Sequence, residues 1–112
     1  MIYAIDFDGT IVDNKYPEIG ELRPEAEFFI RSIKAEGHKF ILWTNRTGET
    51  LDAAVAFLKE NDLAPDLVNE NDPALIEFFG NDCRKIYADV FIDDRNAGGL
   101  QFPVVKIKGS DK

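Results

Sequence analysis

The chain has 112 residues, 45% of them apolar, and a formal net charge of −8. That suits one globular domain over residues 1–112 and disfavours both disorder and nucleic acid as a partner, since nucleic-acid binders need basic surface to displace counterions. No apolar run approaches membrane-spanning length, no basic-then-apolar leader opens the chain, and the single cysteine, Cys83, leaves no internal disulfide, so a cytoplasmic protein is expected.

Strand and helix signals alternate along the chain. Residues 2–6 read as a buried strand that ends in Asp6-Phe7-Asp8-Gly9-Thr10. Residues 11–22 hold Asn14, Pro17 and Gly20 and read as a loop or small hairpin. Pro24 suits the first turn of a helix, Ala26, Phe29, Ile30 and Ile33 give it one apolar face, and Gly37 stops it. Residues 39–44 form a second strand, apolar on both faces as parallel strands are. A second helix opens at Thr47 or Gly48, with Leu51, Ala54, Val55 and Leu58 facing inward. Residues 66–69 make a short third strand. Asp72 and Pro73 then cap a short helix that Gly80 ends. Residues 88–92 are a fourth strand running into Asp93-Asp94, and residues 104–107 a fifth.

This alternation predicts an α/β fold: three layers, α/β/α, around a mostly parallel, Rossmann-like sheet of about five strands. Such sheets bind ligands beyond the carboxyl ends of their strands. The polar residues at those ends then share one rim: Asp6 and Asp8, Thr44 and Asn45, Asp93 and Asp94. A buried strand gains no stability from two carboxylates at its tip, because desolvating charge is costly. Converging carboxylates repel unless a cation sits among them, and oxygen donors without clustered His or Cys favour Mg²⁺ over Zn²⁺. A lysine (Lys85) and a hydroxyl beside magnesium would receive a phosphoryl group. His38 reads as a surface or cap residue, Trp43 as core, and Cys83 as inert. Arg46, Arg95 and Asn96 sit near the crevice, where they could touch a leaving group, but such residues are more often rim or ion-pair partners.

Four elements in order resemble the haloacid dehalogenase superfamily in its phosphatase branch: Asp6-Phe7-Asp8-Gly9-Thr10, Thr44-Asn45-Arg46, Lys85, and Asp93-Asp94. The resemblance spans residues 2–96. It implies a Mg²⁺-dependent phosphomonoesterase in which Asp6 attacks phosphorus and becomes an aspartyl phosphate. Asp8 then serves as acid and base. The metal is held by Asp6, the main-chain carbonyl of Asp8, and Asp93, with Asp94 binding through water or trading places with Asp93. Thr44, Asn45 and nearby backbone N–H groups bind the phosphoryl oxygens, and Lys85 balances charge.

Relatives often carry a cap domain, inserted after the first strand or before the motif lysine. Residues 11–22 and 70–84 are too short to house one, so a capless member with an open site is expected. The substrate itself or a second copy of the chain in a homo-oligomer would then cover the crevice. A small phosphorylated metabolite such as a sugar phosphate is the expected substrate. Two other classes compete. A phospho-receiver signalling domain uses similar residues, but takes phosphate on an Asp after strand three, where this chain has Asn69-Glu70. A non-catalytic binding protein on the same fold would not need every one of these groups.

Overall fold

In the computed structural model, residues 1–83 and 85–103 are described; Arg84 and the expected strand at 104–107 lie outside them. The elements are β1 (Ile2–Ile5), β2 (Val12–Lys15), β3 (Glu18–Leu22), α1 (Pro24–Ala35), β4 (Lys39–Leu42), α2 (Gly48–Glu60), β5 (Leu67–Val68), α3 (Pro73–Phe79) and β6 (Val90–Ile92). Among the described residues the main sheet has four parallel strands in the order β5-β4-β1-β6, and β2 and β3 form a separate antiparallel hairpin.

Side-chain alternation sorts the sheet into two faces. Tyr3 and Ile5 of β1 lie beside Phe40 and Leu42 of β4 and beside Val90 and Ile92 of β6. These residues cluster with Ala26, Phe29, Ile30 and Ile33 of α1 and with Ala54 and Leu58 of α2. The α1 set falls at i, i+3, i+4, i+7, the spacing that places four side chains on one helical stripe. The opposite face buries Ala4, Ile41 and Ile86. Each chemistry is local and legible: Asp72 caps α3 by accepting from the Ala74 N–H at 3.0 Å, and Gly80 closes it in the left-handed region. No helix among the described residues is long and apolar enough to cross a membrane.

The connections position the site. From β1 the chain moves outward to β4 and then to β5, and from there returns across the sheet to pair as β6 on the far side of β1. The direction of winding therefore reverses between β1 and β6, where open α/β sheets leave a crevice. Only the hairpin lies between β1 and α1, and only the seven-residue α3 between β5 and β6. The fourth strand is shorter than the sequence predicts, Val90–Ile92, because Asp89 turns its carboxylate to the Ile2 N–H at 2.7 Å, while its own N–H pairs with the Ile2 carbonyl.

Candidate functional site

Three carboxylates meet at the β1/β6 crevice. Asp6, Asp93 and Asp94 each offer an oxygen within 4.8 Å of the other two. Oxygens on an octahedral ion of Mg²⁺ size, at about 2.1 Å, stand roughly 3 to 4.2 Å apart, so small side-chain adjustments would seat one. Burial, first, and the charge of Asp93 push Asp6 up to about 7, and Asp94 adds to the push; Thr10 and the Phe7 N–H oppose it. Asp94 is also raised, by burial and then by Asp93. The cluster thus carries uncompensated negative charge that a divalent ion would relieve.

Gly9 and Thr10 build the frame for this cluster. Gly9 has φ +85°, and a Cβ there would run into the Asp94 carboxylate, so only glycine both makes the turn and admits that side chain. Thr10 is fully buried. Its hydroxyl donates to Asp6 Oδ2 at 3.1 Å and accepts from the Asp94 N–H at 3.1 Å. One hydroxyl therefore spans the tips of β1 and β6.

Asp8 stands apart from the carboxylate cluster. Arg46 Nε donates to its Oδ2 and Nη2 to its Oδ1, both at 2.7 Å. The side chain of Asp8 is thus an ion-pair partner. Its main-chain carbonyl takes no hydrogen bond from the described residues, which leaves that oxygen open to a cation.

Across the crevice, Asn69 follows β5 with φ +52°, a conformation asparagine tolerates. Its side-chain oxygen accepts from the Thr44 N–H at 2.8 Å, and its amide donates to the Thr44 carbonyl at 2.9 Å. Thr44 Oγ1 accepts from the Arg46 N–H at 3.1 Å, so the hydroxyl keeps its proton for another acceptor. A cleft of about 310 Å³ is lined by Asp6, Trp43, Thr44, Asn45, Asn69 and Asp93. A neighbouring one of about 540 Å³ adds Asp8, Asp94 and Arg95, with Asn14 and Tyr16 from the hairpin.

The structure thus brings together Asp6, Asp8, Thr44, Asn45, Asp93 and Asp94. It does not bring Lys85 with them. That residue is exposed and lines a separate cavity of about 510 Å³ with Asn71, Phe79, Cys83 and Tyr87. The physical reason is that Lys85 precedes the start of β6, whereas the acidic pair follows its end. Buried Asn71 fastens this stretch by accepting from the Tyr87 N–H at 2.6 Å and donating to the Cys83 carbonyl at 3.0 Å. Trp43, expected in the core, is half-buried and lines the smaller cleft, its ring edge-on to Phe91. The bridging role of Thr10, the role of Asn69 and the identity of Arg46's partner went unread in the sequence. A threonine closing the Asp-rich turn and an asparagine at a strand tip were the signals available for the first two.

No protein-family model matches the chain, and no curated protein matches it. The fold is similar to that of a conserved protein from Bacteroides thetaiotaomicron, with a TM-score of 0.79 and 44% identity over 90% of this chain and 81% of that one. At that identity and coverage the two belong to one family.

Proposed function

We propose that the chain is a Mg²⁺-dependent phosphomonoesterase acting through an aspartyl phosphate. The observation that carries this reading is the meeting of Asp6 with Asp93 and Asp94, from strand tips 87 residues apart in sequence, within 4.8 Å and beside Thr44 and Asn45. We further read the fold as Rossmann-like and three-layered, in one capless cytoplasmic domain.

Asp6, the Asp8 carbonyl, and Asp93 or Asp94 would hold the ion, which when bound would neutralise the cluster and polarise the phosphoryl group. An Asp6 oxygen attacks phosphorus in line, and the bond to the leaving oxygen breaks as Asp8 supplies its proton. Asp8 then takes a proton from water, which attacks the aspartyl phosphate and returns Asp6 and inorganic phosphate. The Thr44 hydroxyl and Asn45 hold the phosphoryl oxygens, with Asn69 fixing the loop that presents them. Arg95, which lines the larger cleft, is better placed than Lys85 to add positive charge. The clefts suit a small phosphorylated metabolite. A phospho-receiver is less well supported, because Asn69 stands where its phosphorylated carboxylate would be and is already engaged with Thr44.

The test is phosphate release from p-nitrophenyl phosphate. Activity is expected with Mg²⁺, and its loss in EDTA and in Asp6→Asn. Full activity of Asp6→Asn would refute the mechanism.

A further inference from the structure

Arg46 is the largest fully buried side chain among the described residues. All five of its N–H donors are used. Two go to Asp8, as described. Nη1 donates to the carbonyls of Thr50 at 3.1 Å and Pro17 at 3.3 Å, and Nη2 to that of Glu18 at 3.0 Å. The guanidinium lies between two rings, with its carbon 5.1 Å from the centre of Phe7 and 5.0 Å from that of Tyr16. One planar group therefore joins the loop after β1, the start of α2, and the turn of the hairpin. A buried guanidinium needs a counter-charge, and here its fork goes to a carboxylate that lines the larger cleft.

We propose that Arg46 is the positioning residue for Asp8 and couples that position to the β2–β3 hairpin. The inference rests on the phosphatase reading above. A carboxylate has about four acceptor sites, and the fork occupies one on each oxygen, which leaves the others for a proton exchanged with leaving group or water. The planar, two-point contact fixes the plane of the carboxyl group; a lysine at the same position would keep the charge and lose the orientation. The hairpin holds the guanidinium from the opposite side through Pro17, Glu18 and the Tyr16 ring. Side chains of the same hairpin, Asn14 and Tyr16, line the cleft. Movement of the hairpin by a substrate is therefore transmitted to Asp8 without direct contact.

The leaving group reads this out. p-Nitrophenolate departs as a stable anion and needs no proton, whereas the alkoxide from glycerol phosphate does. In Arg46→Lys, turnover of glycerol phosphate should fall about 10²-fold, as for loss of general acid catalysis, with p-nitrophenyl phosphate changing only several-fold. Asp8→Ala should show the same selectivity, and the double variant should add little to it, since the two residues act as one unit. Tyr16→Ala, at a mostly exposed position, keeps Arg46 and loosens its outer side; it should shift the ratio in the same direction and covers the case in which Arg46→Lys fails to fold. An equal fall on both substrates in Arg46→Lys, or an unmoved ratio in Tyr16→Ala, overturns the coupling while leaving the phosphatase reading intact. Wild-type protein inert toward both substrates with Mg²⁺ overturns the two together.

Discussion

The protein without a divalent ion should lose stability as pH rises from 5 to 8. Asp6 moves from 3.8 to about 7 in the folded chain. Between those values the native state binds a proton that the unfolded state has released, so stability falls with pH throughout the window and levels off above it. From pH 5 upward about two units of the shift are crossed, nominally near 2.7 kcal/mol at about 1.36 per unit. The carboxyl group is only half-buried, and solvent screening reduces this to roughly 1.5 kcal/mol. Asp94 is shifted in the same direction, chiefly by burial. Asp72, lowered chiefly by its hydrogen bond from Lys39, contributes stability already complete above about pH 4. Its share is lost only below that, and it leaves the slope unchanged. Urea unfolding in EDTA at pH 5, 6.5 and 8 measures the effect. Asp6→Asn should abolish most of it and be the more stable protein at pH 8. Mg²⁺ at about 100 times its dissociation constant should return roughly 2.7 kcal/mol to the wild type at pH 8, and little to Asp6→Asn. A flat or rising profile in EDTA, or an unchanged slope in Asp6→Asn, would refute the claim that these carboxylates repel one another in the folded state.

Three further substitutions test the frame around the cluster. Arg46→Met leaves the Asp8 carboxylate and three carbonyls without their donor and should cost about 3–5 kcal/mol in urea unfolding, as for other broken buried ion pairs. Gly9→Ala places a methyl group against Asp94 at a positive φ; a loss of about 1–3 kcal/mol is expected, along with most of the stabilisation by Mg²⁺ seen calorimetrically. Asn69→Ala unties both backbone groups of Thr44; it should cost about 1–2 kcal/mol and raise KM for p-nitrophenyl phosphate more than it lowers kcat.

What could be read from the sequence was periodic or punctuated. β1 and β4 stand where continuous apolar runs place them, α1 and α2 where 3.6-residue apolar patterns do, and Asp72-Pro73 and Gly80 bound α3 as capping chemistry requires. The convergence of Asp6 with Asp93 and Asp94 was legible too, because it follows from topology: parallel strands bring their carboxyl ends to one rim. Lys85 was grouped with the acidic pair on the family pattern, whereas a residue that precedes a strand lies toward the opposite end from the residues that follow it. The partners of Asp8 were hidden for a different reason. An arginine beside Thr44-Asn45 reads as a rim residue or ion-pair partner, and nothing local in the sequence signals that its guanidinium will lie against Phe7 and beneath the hairpin. Only the folded hairpin, arriving from residues 12–22, closes over it.

The five residues from Asp6 to Thr10 then divide the labour in a way that bears on the chemistry. Asp6 joins the acidic cluster, and Phe7 forms one plate beneath Arg46. Asp8 takes the fork, Gly9 makes room for Asp94, and Thr10 ties Asp6 to the Asp94 backbone. Two of the five, Gly9 and Thr10, bring a distant acidic residue close to Asp6. Holding like charges together costs stability, and a buried hydroxyl and a glycine turn that favour that arrangement make sense if the cluster is assembled in advance of an ion that would occupy it. The same stretch keeps Asp8 out of the cluster by giving it a cation of its own. Under the proposed mechanism, these separate environments for two carboxylates two residues apart would let one act on phosphorus while the other handles the proton.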